Sequence, residues 1–332
     1  MNRMNRNTMK FLLGLLLVMM LVVTSACGAN KNADNLSNNQ AGNAEQPATA
    51  EPTPDASAQT TVYPLTIKDD TGTEITFEKQ PAKVVTLVPS ETETIYAIGS
   101  GEQVVGVDQW SDYPEEAASK PKVGDMTTNI EAVVALNPDL VLASSSLNTE
   151  AITKLRELNI AVYATDPLTY DAVIAKIENL GHIMNKQSEA TAVADHMREV
   201  KQQVSDAVKD AEKKKVFLEF SQGWTVGSGT FLDELLGLAG GNNISAGSPG
   251  WYEVNAEEVV TQNPELIIYP DLKEDPNPIV AGIESRPGWD VIDAVKNKQM
   301  FAVTENPLVR VGPRLADGLL ELAKVIHPDL VK

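Results

Sequence analysis

The sequence predicts an α/β protein with two α/β lobes, each built on a central parallel sheet, joined by one long rigid α-helix. A fifteen-residue segment at 129–143 recurs 126 positions later at 255–269, with seven identical positions. Short apolar runs typical of buried parallel strands alternate with helical segments around both copies. Between the copies lies a long segment, 171–214, whose only helix breaker is Gly181.

Each copy of the repeat predicts a short helix followed by a strand. Asn129 and Asn255 suit the N-cap position, because a short side-chain oxygen can accept a backbone N–H of the first turn. Pro138 and Pro264 end the helix, and the apolar run after each proline predicts a buried strand. The Val pair in each copy is expected to face inward. Copies this far apart indicate two similar lobes, since solenoid repeats have shorter periods.

Residues 1–26 predict a lipoprotein signal peptide. Basic residues precede an apolar run at 11–23, which is too short to span a bilayer comfortably. Small residues then lead to Cys27, the only cysteine in the chain, as in the lipobox of bacterial lipoproteins. We therefore expect lipidation at Cys27 and a lipid-anchored protein on the cell surface or the periplasmic side of the cytoplasmic membrane. An ordinary cleavage site followed by an incidental cysteine is the alternative.

Composition separates the rest of the chain into a tether and a folded part. Residues 27–61 hold almost no large apolar side chains and predict a flexible tether. The lobes are predicted at 62–169 and 215–332, with a helical linker at 170–214. The formal net charge of −19 argues against nucleic-acid binding, which needs clustered Lys and Arg.

Within these bounds, alternating polarity around a turn at 70–72 predicts a hairpin at 65–77. Further strands are predicted at 83–88, 104–107, 160–163, 216–220 and 300–303. Helices are predicted at 91–98, capped by Ser90, and at 149–158, 170–184, 187–214, 231–239, 289–296 and 313–326. The helix at 187–214, roughly 28 residues, would be about 42 Å long. A helix of that length suits a stiff connection between lobes.

The loops after the predicted strands collect aromatic side chains. Ligands of open α/β sheets bind beyond the carboxyl ends of the strands. Flat aromatic faces with few charges suit a large, mostly apolar ligand with polar edges. Local packing of each Trp is the alternative, weakened because three of the four Trp fall in such loops. The candidate ligand-binding residues are Trp110, Tyr113, Trp224, Trp251, Tyr252, Asn306 and Arg310.

Signatures of enzymes are missing from the sequence: it contains no Gly-x-Ser-x-Gly, Walker A or Gly-x-Gly-x-x-Gly motif. The three histidines, His182, His196 and His327, fall in or near predicted helices, away from the loops. We therefore predict no enzyme, no cofactor and no metal site. Glu131 and Glu257 occupy equivalent helix starts. Taken alone, these positions favour a simple interaction with the helix dipole over a symmetric docking pair.

Lipobox, tether, twin lobes, connecting helix and repeat together resemble one family. It comprises the ABC-transporter substrate-binding lipoproteins for vitamin B12, iron-siderophores and haem, which have the helical-backbone periplasmic-binding-protein fold. The resemblance covers about 62–331. The segments 111–114, 129–140 and 310–314 are most similar to the vitamin B12-binding members.

This resemblance implies a monomer that binds cobalamin or a related corrinoid between its lobes and delivers it to an ABC permease dimer with ATPase subunits. Trp110, Trp224 and Trp251 match aromatic positions of the family, and Arg310 and Asn306 match polar contacts. Glu131 and Glu257 match acids that bind permease arginines, which favours the docking hypothesis. Asp125 and Ser144 stand where vitamin B12-binding members have Trp. Iron-siderophore or haem binding remains an alternative, as does a lipid-anchored sensor or enzyme.

Overall fold

Strands and helices alternate through the part of the chain that the computed structural model describes, residues 60–125 and 127–332. The predicted signal peptide, Cys27 and most of the tether lie outside these residues. The strands are β1 (Leu65–Lys68), β2 (Glu74–Phe77), β3 (Val84–Thr86), β4 (Val104–Val107), β5 (Leu140–Ser144), β6 (Val162–Thr165), β7 (Lys214–Ser221), β8 (Trp224–Val226), β9 (Gly241–Asn243), β10 (Trp251–Glu253), β11 (Leu266–Pro270) and β12 (Met300–Val303).

The helices connect these strands and cover the faces of the sheets. They are α1 (Pro89–Ala97), α2 (Glu115–Ala118), α3 (Ile130–Ala135), α4 (Thr149–Glu157), α5 (Tyr170–Ile183), α6 (Gln187–Val208), α7 (Phe231–Leu238), α8 (Ala256–Gln262), α9 (Pro278–Ser285), α10 (Asp293–Lys296), α11 (Glu305–Val309) and α12 (Leu315–Ile326). In the described part of the chain, no helix is both long and apolar enough to cross a membrane.

The two lobes share one sheet plan, which confirms the predicted fold class. In the first lobe the strand order is β4-β3-β5-β6, all parallel. In the second lobe β9, β7, β11 and β12 form the same parallel order. The second sheet also carries an addition, the antiparallel strands β8 and β10 beside the end of β7. Because parallel strands end at one edge, each lobe presents its loops on one side.

The predicted helix–strand repeat is confirmed in both lobes. The Asn129 side chain accepts from the Ala132 N–H at 3.0 Å, and the Asn255 side chain accepts from the Glu258 N–H at 3.3 Å. The strands that follow, β5 and β11, lie inside their sheets. The inward orientation of both Val residues was wrong for the first copy. Val133 is fully buried but Val134 is 43% exposed. Adjacent residues of a helix point in different directions, so this short helix buries only one of the two.

The connecting helix α6 is shorter than predicted. It has 22 residues, about 33 Å, and ends at Val208 rather than at 214. Lys214 and Lys215 instead pair with β9, so sheet formation overrides the helical tendency of this segment. Its buried face packs mainly on α5 and α12. One hydrophobic core thereby continues from the first sheet through α5 and α6 into the second sheet.

Three segments outside the predicted strands and helices contain regular structure. The segment 222–229 includes β8, 247–253 includes β10, and 304–309 includes α11. Helix α1 begins at Pro89 with Val88 at its N-cap, so the predicted Ser90 cap was wrong. A fixed proline φ suits the first turn of a helix, which explains the earlier start. The strand predicted at 160–163 lies at Val162–Thr165, where it pairs with β5.

Candidate ligand-binding cleft

A cavity of about 160 Å³ lies where the strands of the first lobe end. Residues after β3, β4, β5 and β6 form most of its wall, and 309–311 close it from the second lobe. This is the edge at which an open parallel sheet binds ligands. Its polar lining includes Glu91, Asp108, Asp125, Ser144, Asp166 and Arg310.

Trp110 lines this cavity. Hydrogen bonds to the Asp108 carboxylate fix the loop that carries it. Its indole is 61% exposed, yet its backbone N–H donates to Asp108 Oδ2 at 2.8 Å. The Ser111 hydroxyl donates to the other oxygen of the Asp108 carboxylate. Ser111 continues through Thr92 to Thr86 in a chain of buried hydroxyls with 2.6 Å spacings. The loop that presents the exposed indole is therefore preorganised by hydrogen bonds.

Burial raises the pKa of Asp108 above its ordinary value, against the opposing effect of its hydrogen bonds from Ser111 and Trp110. The side chain is only 3% exposed. Desolvation disfavours the charged form of a buried carboxyl group. Asp108 is thus both the support of the Trp110 loop and a titratable group next to the cavity.

Trp224 and Trp251 lie on the ribbon formed by β8 and β10 in the second lobe. Trp224 pairs with Glu253, two residues after Trp251, so both indoles project from the same face of the ribbon. They are 42% and 44% exposed, and the Trp251 ring packs edge-on against Phe220 with centroids 6.0 Å apart. Neither indole lines the cavity that holds Trp110.

Tyr252 does not join these indoles. Adjacent strand residues point to opposite faces, and the Tyr252 hydroxyl donates to the Ser245 carbonyl at 2.9 Å inside its own lobe. Tyr113 also points elsewhere, since Arg314 lies 4.1 Å above its ring and it lines a separate groove of about 1210 Å³ between α1, α6 and α12. The predicted aromatic set is therefore divided among different surfaces.

Arg310 reaches the cavity from the second lobe, but its guanidinium group already forms hydrogen bonds with residues of the first lobe. Its Nη1 donates to Glu93 Oε1 at 3.0 Å and to Asp112 Oδ1 at 2.6 Å. Its Nη2 donates to the Trp110 carbonyl at 3.4 Å. The hydrogen bond from Arg310 lowers the pKa of Asp112. Arg310 thus orients the Trp110 loop, and its charge is already compensated.

Asn306 lies on α11, half-buried, close in sequence to this arginine. Its backbone carbonyl accepts from the Arg310 N–H at 3.0 Å. The side chain does not border the cavity of the first lobe. Its position supports the turn that carries Arg310.

An ion pair between Glu91 and Lys176 was missed from the sequence. Lys176 Nζ lies 2.8 Å from Glu91 Oε1, and both side chains are 3% exposed. Lys176 also donates to the Val311 carbonyl of the second lobe at 2.9 Å. The available signal was a lysine between Val173 and Ile177 on the apolar face of α5, where a charged side chain requires a buried partner.

The cavity has an acidic lining. Four carboxyl groups, of Glu91, Asp108, Asp125 and Asp166, border it together with one cation, Arg310. Arg310 is compensated by Glu93 and Asp112 and Glu91 by Lys176, so the three aspartates make the lining acidic. Such a site favours ligands that donate hydrogen bonds and disfavours anions.

Glu131 and Glu257 lie in the first turns of α3 and α8, at equivalent positions of the two lobes. Both side chains are exposed, and neither forms an ion pair with any residue that the structure describes. Both are therefore accessible to an external partner.

The histidines lie away from the cavity. His182 and His196 are exposed on α5 and α6, and the buried His327 ring lies 3.1 Å from the Gly240 carbonyl. Across 60–125 and 127–332, no group of three His, Cys, Asp or Glu side chains is placed to hold a metal ion.

The family model of periplasmic binding proteins matches residues 84–307, a segment that includes the sheets of both lobes. The chain belongs to the periplasmic binding protein family. The expected resemblance to ABC-transporter substrate-binding proteins is thereby confirmed.

This periplasmic binding protein is similar to two sequence relatives and to one solved structure. The uncharacterized ABC transporter substrate-binding lipoprotein YvrC of Bacillus subtilis (strain 168) is 36% identical over 288 residues, covering 83% of this chain and 90% of the relative. A cobalamin-binding protein of Halobacterium salinarum (strain ATCC 29341 / DSM 671 / R1) is 30% identical over 288 residues, covering 80% and 74%. The periplasmic vitamin B12 binding protein BtuF of Vibrio cholerae superposes with a TM-score of 0.67 at 27% identity, covering 74% and 96%.

Proposed function

We propose that this periplasmic binding protein captures cobalamin or a related corrinoid between its lobes and delivers it to an ABC importer. The carrying observation is the exposed Trp110 indole on a preorganised loop beside an acidic cavity. A corrinoid has a broad ring face for aromatic contact and primary amides around its edge. The Trp110 indole suits the face, and carboxylates accept N–H bonds from the amides.

The charge of the cavity favours a corrinoid over haem or a siderophore. Haem carries two propionates, and many siderophore complexes are anionic. Either would meet the carboxyl groups of Asp125 and Asp166, which line the cavity and form no salt bridge with a described residue, and like charges repel. The similarity to a cobalamin-binding protein over 80% of this chain also supports the corrinoid.

Delivery requires contact with the permease. Glu131 and Glu257 are suited to this because they are exposed, unpaired within the described residues, and repeated on the two lobes. We assign them to docking on basic side chains of a permease dimer, whose two halves would each take one glutamate. Acylation of Cys27 would hold the protein on the membrane surface near its importer.

A calorimetric titration tests the ligand assignment. The purified protein is titrated with cyanocobalamin, with haemin and with an anionic ferric catecholate complex under identical conditions. We expect saturable binding of cyanocobalamin and at least about tenfold weaker binding of the other two, the scale of one lost charged contact. Tighter binding of haemin or of the ferric complex would overturn the corrinoid assignment and favour that ligand instead.

A further inference from the structure

Glu91 is one of the residues that line the cavity, and its carboxylate is held in one orientation. Its Oε1 receives a hydrogen bond from Lys176 at 2.8 Å and a weaker one from the Thr165 hydroxyl at 3.3 Å. The residue is 2% exposed. Lys176 is anchored in turn by the Val311 carbonyl. The carboxylate is therefore prevented from turning and keeps a defined second oxygen.

That second oxygen, Glu91 Oε2, is buried and has no hydrogen-bond partner among the described residues. An unsatisfied buried carboxylate oxygen is costly and rare in folded proteins. Glu91 nevertheless borders the cavity between the lobes. A residue of the cavity lining thus keeps one strong acceptor without a donor among the described residues.

We infer that Glu91 Oε2 accepts an N–H from a primary amide of the bound ligand and makes Glu91 a specificity-determining residue. This inference rests on the proposed corrinoid function. The site would select an amide over a carboxylate at one position of the ligand edge. An amide supplies the missing donor, whereas an ionised carboxylate brings a second negative charge with no proton to share.

Lys176 does not change this preference. Its ammonium is already shared between Glu91 Oε1 and the Val311 carbonyl, and it is as buried as its partner. It holds the Glu91 carboxylate in one orientation, which makes it a positioning residue. Because Lys176 Nζ contacts Glu91 Oε1, Glu91 Oε2 remains available as an acceptor.

The test uses ligands that differ by one group. Cyanocobalamin is compared with the three isomeric derivatives in which a single propionamide has been hydrolysed to a carboxylate, by calorimetry on the wild-type protein. We expect one isomer to bind about tenfold or more weakly than the parent amide. Equal binding of the parent and all three acids would overturn the inference and indicate that Oε2 is satisfied by water.

Glu91→Gln then reverses the polarity of the same contact. A glutamine keeps a carbonyl oxygen for Lys176 and presents an NH₂ donor where Oε2 stood. The discriminated isomer should lose its disadvantage in Glu91→Gln, with the preference shrinking at least about fivefold. The exposed Glu157→Gln, on α4, is the matched control and should keep the wild-type preference. An unchanged preference in a folded Glu91→Gln variant would refute the role of Oε2.

The outcomes separate this inference from the proposed function. If the wild-type protein binds no corrinoid at all, both are overturned. If it binds cyanocobalamin but Glu91→Gln does not alter the amide preference, only the role of Glu91 is lost. Should Glu91→Gln fail to fold, the wild-type comparison of amide and acids decides the question by itself.

Discussion

Arg314 donates two hydrogen bonds to Glu93, from Nε to Oε2 at 2.8 Å and from Nη2 to Oε1 at 2.6 Å. Glu93 lies on α1 of the first lobe, and Arg314 precedes α12 of the second. Arg310 adds a third contact to Glu93 Oε1. This buried, bidentate pair ties the two lobes together beside the cleft, which favours a preformed cleft over a large closing motion.

Removing Glu93 should destabilise the protein strongly. Glu93→Ala leaves two arginines partly buried without their carboxylate, and breaking such a pair costs about 3–5 kcal/mol of unfolding free energy. Urea denaturation followed by circular dichroism measures this loss. The exposed Glu115→Ala, on α2, serves as the control and should lie within about 0.5 kcal/mol of the wild type. A loss below about 1 kcal/mol in Glu93→Ala would show that the pair does not hold the lobes together.

Trp110→Ala should weaken corrinoid binding by roughly 1–3 kcal/mol, the range for loss of one aromatic contact. Trp110→Phe keeps a flat ring and should recover about half of that loss. Calorimetry with cyanocobalamin measures both variants. Leu158→Ala removes an equally exposed apolar side chain from the end of α4 and should bind as the wild type does. Wild-type affinity in Trp110→Ala would rule out stacking on this indole.

The double variant Glu131→Arg/Glu257→Arg should bind ligand normally and fail in transport. The glutamates are exposed and do not line the cavity, so the charge reversal should leave the cleft unchanged. Uptake of labelled cyanocobalamin by cells or by vesicles with the importer measures transport, and calorimetry measures binding. A matched charge reversal at exposed positions, Glu78→Arg/Glu157→Arg, controls for net charge. Normal uptake in the first variant would contradict the docking role.

Two neighbouring aspartates should show opposite dependence on pH. Burial raises the pKa of Asp108, so ionisation costs stability as the pH rises through that pKa. The hydrogen bond from Arg310 lowers the pKa of Asp112, so its contribution is present above the unfolded pKa and is lost as the pH falls through the folded pKa.

Measured between about pH 3 and pH 7, the unfolding free energy of Asp108→Asn should therefore rise relative to the wild type as the pH increases. That of Asp112→Asn should fall relative to the wild type over the same range. Each variant is the control for the other, because both remove one carboxyl group from the same loop. Parallel curves for the two variants would contradict the assigned causes.

The sequence alone predicted much of the local secondary structure. The repeat predicted a capped helix and a buried strand twice, because the N-cap, proline and apolar signals occupy consecutive positions in each copy. The apolar run at 104–107 likewise predicted a strand, and it placed Trp110 in the loop after that strand. The chain order of strands and helices therefore predicted the fold class and the side of the first lobe on which the cavity lies.

The tertiary structure decided which of these side chains meet. Tyr252 points away from Trp251 because β10 pairs with β8 and the strand alternation then separates adjacent residues. Arg310 and Arg314 converge on Glu93 from more than 200 positions away, and Lys176 reaches Glu91 across the core. Such pairings depend on the packing of distant elements, and no pattern of neighbouring residues specifies them.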